Sequence, residues 1–121
     1  MPKLGFDEDA WEAAKAEGRD ALISCARNRQ MIPYSDFVKH IRSIQFQGPH
    51  DARLAHFLEE ISEAEAEAGR GMLTALVVHK HGDYQPGPGF FELARRLGHN
   101  TSDIEKFWVQ EVKKVFAAWV D

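Results

Sequence analysis

Cysteine is almost absent from the sequence, and long apolar runs are missing altogether. The single cysteine, Cys25, excludes an intramolecular disulfide and fits a reducing compartment. No stretch approaches the roughly 20 consecutive apolar residues that a membrane-spanning helix needs, and residues 1–5 lack the apolar core of a signal peptide. These absences predict a cytoplasmic protein that has no membrane partner.

Internal repeats and linkers are also absent. The 121 residues fit one domain, and no stretch of linker composition separates two halves. Hydrophobic residues make up 44% of the chain and aromatic residues 11%, which is enough to build a core without disulfides or metals. We therefore predict a single domain over residues 1–121, and we expect no cofactor.

Charge is distributed unevenly, although the formal net charge is only −4. Residues 59–68 hold five glutamates and no basic residue. Residues 27–58 hold five Lys or Arg against two Asp or Glu, and residues 69–99 hold four against two. All six histidines lie in these two positive segments. An acidic chain is a poor candidate for indiscriminate binding to polyanions, but the two positive segments are compatible with a local basic face.

Apolar residues at three- and four-residue spacing predict five helices. The first helix runs from about Asp7 or Asp9 to Asn28, and the second begins at the N-cap Ser35 and carries Phe37 to Ile44. The third runs from the cap Asp51 to near Ala68. A short fourth helix runs from Phe90 to Leu97, and the last covers residues 102–120. Ser102 to Glu105 fits a capping box for the last helix. Pro33 keeps the preceding residue out of helical conformation, so residues 31–34 are predicted to form a short extended piece.

One strand is predicted, from Met72 to His79, because this run is apolar and β-branched near its end. Its backbone needs a partner. The candidates are residues 31–34 and the segment around Phe90, or a second copy of the chain. The predicted fold class is therefore α+β and mostly helical, with about five helices and a small two- or three-stranded β element.

The order of these elements resembles that of a winged helix over roughly residues 8–92. The run from Ile32 to Val38 is similar to the strand-to-helix entry of winged-helix DNA-repair alkyltransferase domains. Those domains carry a Pro-Cys-His-Arg motif that this chain lacks, and its only cysteine is on the first helix. The resemblance thus implies a winged-helix fold, and alkyl transfer is not carried over.

In a winged helix the third helix enters the major groove, while the second helix and the wing touch the backbone. The resemblance therefore implies duplex-DNA contacts from His50, Arg53 and His56 on the third helix, Lys39, His40 and Arg42 on the second, and Lys80 and His81 in the wing. These residues are also the ones that make the two middle segments positive. The first interpretation is a non-enzymatic DNA-binding module. The alternative for these side chains is an ordinary solvated surface.

The glutamate run supports a rival interpretation of the function. Glu59, Glu60, Glu63 and Glu67 would offer an acidic surface to a basic protein, as in a domain that neutralises a toxin or nuclease. No feature of this run separates the pKa values of two carboxylates, as general acid–base catalysis requires. The rival is therefore also a binding module.

Other candidate chemistries are predicted to be absent. His79, His81 and Asp83 have a spacing compatible with a metal, but such a site needs at least one more ligand. Cys25 lies on the apolar stripe of the first helix and is expected to be core. The aromatic residues of the last helix are also expected to be core, or a homodimer interface where they are exposed: Phe107, Trp108, Phe116 and Trp119. We therefore expect no enzymatic activity and no bound metal.

Overall fold

The computed structural model describes residues 3–48, 50–79 and 85–120. Its elements are α1 (Glu8–Arg27), β1 (Ile32–Pro33), α2 (Tyr34–Phe37), α3 (Ala52–Glu67), β2 (Val77–Val78), α4 (Pro88–Arg96) and α5 (Ile104–Ala118), with single turns of 3-10 helix at Val38–His40 and Leu73–Leu76. The mostly helical α+β class, with five helices and a small sheet, is confirmed. None of the described helices combines the length and apolarity needed to cross a membrane.

The β element is a parallel pair of two-residue strands. Ile32 lies opposite Val77, and Pro33 lies opposite Val78. This confirms residues 31–34 as the partner segment. The pairing places the start of α2 beside the end of β2, and this position matters for the site described below.

The predicted strand from Met72 to His79 is mostly wrong, since Leu73–Leu76 forms a buried 3-10 turn. An apolar run cannot be assigned to strand or helix by periodicity alone. Its backbone donors find side-chain acceptors on other helices: Met72 N donates to Glu111 at 2.8 Å and Thr74 N to Ser62 at 3.0 Å. A strand partner is therefore needed only by the last residues of the run.

The second helix is shorter than predicted and begins one residue before Ser35. After α2 and the 3-10 turn, Ile41 is already extended, with φ −91° and ψ 117°. Glu17 on α1 accepts the backbone N–H groups of Arg42 and Ser43 at 2.8 and 2.9 Å. These amides are the ones that would have continued the helix, so a distant carboxylate ends it.

The N-terminal caps of the longer helices are aspartates. Asp7 accepts the N–H of Ala10, and Asp51 caps α3 as predicted. For α5 the cap is Asp103, which accepts from the backbone of Lys106 at 3.1 Å, so the helix begins one residue after the predicted Ser102 cap would place it.

The core lies where α1, α3 and α5 surround the Leu73–Leu76 turn. Trp11 and Phe57 are fully buried and meet edge to face at 5.2 Å. Gly18 allows α1 to approach closely, because a Cβ there would lie 3.0 Å from the Phe37 ring. On the other side, Trp108 of α5 donates its Nε1 proton to the Ala75 carbonyl at 2.8 Å.

Candidate functional site

A cleft of about 250 Å³ opens between α3 and the N-terminus of α4. Its apolar floor is made of side chains that are almost fully buried: Leu54, Leu58, Phe90 and Leu93. Its polar wall contains Tyr34, His50, Glu59 and His79. Ligand sites in proteins are typically concave, mostly apolar and lined by a few placed polar groups, so this cleft is the principal candidate site.

Tyr34 and His79 are neighbours because of the parallel sheet. Each follows directly after its strand, and Pro33 is in register with Val78. The two rings therefore lie side by side, with centroids 5.0 Å apart and planes inclined by 36°. The sequence separates them by more than forty residues, and only strand pairing brings them together.

The wall is completed by the turn that leads into α4. The Gly87 N–H donates to the Tyr34 hydroxyl oxygen at 2.8 Å, and the His79 N–H donates to the Gln85 carbonyl at 3.0 Å. Space for a side chain at Gly87 is tight, since a Cβ would lie 3.3 Å from the Tyr34 oxygen. These contacts hold the α4 entry against the paired rings.

Tyr34 carries a neutral phenol at the edge of the cleft. Burial raises the pKa of Tyr34, although the hydrogen bond from Gly87 opposes the effect. The hydroxyl oxygen accepts from Gly87, and no acceptor among the described residues takes the phenolic proton. Tyr34 therefore presents a hydrogen-bond donor at the cleft.

The N-terminus of α4 faces the same cleft. Gly87 is the cap and donates its own N–H to Tyr34, Pro88 has no N–H, and the Phe90 N–H donates to the Gly87 carbonyl at 3.2 Å. Among the described residues, the first-turn amide left without an acceptor is that of Gly89. A Cβ at Gly89 would meet no described atom within 4 Å, so the space above this turn is open. The N-terminal end of a helix carries a partial positive charge, which adds to the donor character of this wall.

Both carboxylates of the cleft are paired with arginines. Glu59 lies 2.6 Å from the Arg96 guanidinium, and Asp51 lies 2.8 Å from that of Arg53. The hydrogen bond from Arg53 holds the pKa of Asp51 far below its usual value. The cleft thus has two compensated negative charges.

The predicted DNA contacts on α3 are engaged within the domain. The guanidinium of Arg53 bonds to Asp51 and lies 4.3 Å over the Phe6 ring. His56 Nε2 lies 2.8 Å from a Glu60 oxygen one turn further along the helix. His56 is therefore paired with a glutamate of its own helix, and Arg53 with the aspartate that caps the helix.

The predicted contacts after α1 form a different surface. Lys39, His40 and Arg42 line one shallow depression on the protein. Three carboxylates line the same depression: Glu17, Asp20 and Asp36. Lys39 has a side chain that is 76% exposed and lies 3.6 Å from Asp36. The predicted contact His50 lines the cleft instead, and Lys80 and His81 lie outside the described residues.

Glu60 is a structural residue. It accepts from Trp11 Nε1 at 3.1 Å and from Lys15 at 3.0 Å, and Lys3 lies 3.1 Å away. Partial burial would raise the pKa of Glu60, but the hydrogen bonds from Trp11, Lys15 and Lys3 outweigh it and lower the pKa to about 2. This carboxylate is therefore committed to joining α1 and α3.

The other glutamates of α3 divide between core and surface. Glu65 is buried and bridges Arg19 and Arg70, although the sequence pattern predicts a solvated side chain for most of this run. Glu63 and Glu67 are exposed. Of the predicted acidic surface, only these two side chains are exposed and without an ion pair among the described residues, so binding of a basic protein stays a prediction.

The described residues do not form a metal site around His79. His79 is exposed, while His81 and Asp83 lie outside the described residues. In the part of the chain that is described, no three His, Cys, Asp or Glu side chains are grouped to hold a metal. Cys25 is half-buried against the core, and burial raises the pKa of its thiol.

On α5, Phe107 is buried, while Trp108, Phe116 and Trp119 are partly buried against the core. Val109 remains exposed on the helix surface. A homodimer through this helix stays a prediction.

Sequence reasoning misses the cleft, although each of its parts is visible. The sequence places Tyr34 in an extended piece and His79 at a strand end. The signal that could have joined them is the suggested pairing of residues 31–34 with the Met72–His79 run, since it sets the following residues side by side.

Comparison of the chain with protein-family models, with curated proteins and with solved structures yields no match.

Proposed function

We propose that the chain is a non-enzymatic binding domain whose ligand occupies the cleft between α3 and α4. The observation that carries the proposal is a cavity with an apolar floor and a polar wall, in which strand pairing holds Tyr34 beside His79. A pocket bordered by fixed polar groups is the usual arrangement of a ligand site.

Binding is favoured over catalysis by the state of the phenol, the carboxylates and the hydroxyl that line the cleft. Tyr34 is held as a neutral phenol, and Glu59 and Asp51 are paired with arginines. The Thr74 hydroxyl is bonded to Ser62 and is not placed beside a base. An activated nucleophile needs an adjacent base, and acid–base catalysis needs separated pKa values. These groups suit recognition.

The test is a fragment screen followed by backbone amide NMR, with a cleft-blocking variant. Ala55 is exposed and lines the cleft, so Ala55→Trp places an indole at its mouth. Ala64→Trp, also exposed on α3 but outside the cleft, is the matched control. We expect fragments to shift the amides of His79 and Leu93 in the native protein and in Ala64→Trp, but not in Ala55→Trp. Shifts that survive Ala55→Trp, or no fragment binding, would refute the proposal.

DNA binding by a winged-helix-like module is the second candidate. It is supported by the order of elements and by Lys39, His40 and Arg42 sharing one exposed surface. Each phosphate contact contributes roughly 0.9 to the slope of log affinity against log salt. The carboxylates in the same depression oppose this attraction, so the geometry supports this candidate less than the cleft.

A salt series with duplex DNA tests this candidate. Replacing Lys39 and Arg42 together with Ala should reduce the salt slope by about 2. The control replaces Lys113 and Lys114, which are exposed on α5. No binding of the native protein at low salt, or equal slopes for the two double variants, would dispose of DNA binding through this surface.

A further inference from the structure

The volume of the cleft matches a ligand of one or two rings. An engineered cavity of about 150 Å³ accommodates benzene, and drug-sized ligands occupy roughly 300–1,000 Å³. The cleft, at about 250 Å³, lies between these values. Its floor of Leu54, Leu58 and Leu93 provides apolar contact for a ring but no partner for a bare ion.

The wall of the cleft offers two hydrogen-bond donors to a ligand. The phenolic proton of Tyr34 has no acceptor among the described residues. In the first turn of α4, Pro88 has no N–H and the Phe90 N–H donates to the Gly87 carbonyl at 3.2 Å, which leaves the Gly89 N–H without an acceptor among the described residues. Both groups border the same space as the ring floor. A ligand that carries an acceptor at its edge would therefore satisfy donors that have no acceptor among the described residues.

Charge in the cleft points to an anionic acceptor. The two carboxylates on its lining, Glu59 and Asp51, are each neutralised by a guanidinium within 2.8 Å. What remains is the positive end of α4, the donor of Tyr34 and two imidazoles on the lining, His50 and His79. A cationic ligand would find no uncompensated carboxylate among the described lining residues.

We infer that the cleft binds an aromatic carboxylic acid of one or two rings, with the ring on the leucine floor and the carboxylate at Tyr34 and the first turn of α4. This inference rests on the proposed binding role of the cleft and adds the chemical class of its ligand. The paired rings of Tyr34 and His79 then form a wall beside the aromatic ring.

The test compares acids with isosteric neutral amides by calorimetry on the full chain. The probes are indole-3-carboxylate against indole-3-carboxamide, and benzoate against benzamide. We expect each acid to bind about tenfold more tightly than its amide, since a hydrogen bond to a charged group is worth more than one to a neutral group. Tyr34→Phe should reduce this preference to about threefold or less.

A second variant tests the inference even if Tyr34→Phe does not fold. Arg96 is 58% exposed, and Arg96→Ala leaves Glu59 uncompensated at the cleft. This change should weaken binding of the acids severalfold and leave the amides unaffected, whereas Glu59→Gln should not weaken the acids.

The outcomes separate the two claims. Equal binding of acid and amide, or an acid preference unchanged in both Tyr34→Phe and Arg96→Ala, would overturn the inference while leaving the binding site in place. If neither the probes nor the fragment screen gives binding, the proposed function itself fails.

Discussion

Replacing Glu60 with glutamine should weaken the junction between α1 and α3 and change how stability depends on pH. The carboxylate accepts from Trp11 and Lys15 and lies near Lys3. The glutamine side chain would keep an acceptor for the Trp11 indole but would lose the charge pairs with Lys15 and Lys3 and the carboxylate contact to His56. The change therefore isolates the ionic part of the network with little change of volume.

The magnitude follows from the pKa of Glu60. A fall from 4.5 to about 2 corresponds to about 3 kcal/mol of stability as an upper limit. Because the side chain is partly exposed, solvent screening should reduce the measured loss at pH 7 to about 1–2 kcal/mol. A depressed carboxyl pKa stabilises the fold fully above the unfolded value, and this contribution disappears as pH falls through the folded value.

The assay is urea unfolding of the native protein and Glu60→Gln at several pH values from about 7 to about 2. The difference in unfolding free energy should shrink as pH falls from 4.5 to about 2, the window set by the lowered pKa of Glu60. Glu63→Gln, on the same helix and exposed, is the matched control and should show no such window. A difference that is independent of pH over this range, or an equal effect in Glu63→Gln, would refute the reasoning.

Two further substitutions test the packing of the core. Gly18→Ala should lower the unfolding free energy measured in urea by about 1–2 kcal/mol. The added Cβ would lie 3.0 Å from the Phe37 ring, and the cost of this overpacking should exceed the gain in helix propensity. An increase in stability would show instead that the Phe37 ring moves to make room. Ser62→Ala should cost about 1–3 kcal/mol, because it leaves the buried N–H of Thr74 without its acceptor, and a thermal midpoint equal to that of the native protein would contradict this assignment.

Charge patterning in the sequence is a poor guide to the surface. Arg53 and His56 are predicted to face DNA, but both are paired with carboxylates of the third helix and its cap. Glu65 belongs to a run predicted to be solvated, yet it is buried between Arg19 and Arg70. A one-dimensional count gives the sign of each segment, but the partner of each charge is set by which elements pack together.

Local signals locate the long helices because helix periodicity and caps act within a few residues. The first helix and the third, with its Asp51 cap, lie close to their predicted bounds. The mostly helical α+β class follows from these elements. Proline at position 33 likewise predicts the extended piece that forms β1.

The tertiary structure decided the features that depend on contacts between residues far apart in the sequence. The Leu73–Leu76 turn is helical because Ser62 and Glu111 accept the amides of Thr74 and Met72. Tyr34 and His79 meet only through strand pairing. The sequence by itself determined the four longer helices, the Asp51 cap and the extended segment, since these depend on neighbours along the chain. The cleft and the pairing of its charges depend on groups far apart in sequence, and only the packed chain could place them.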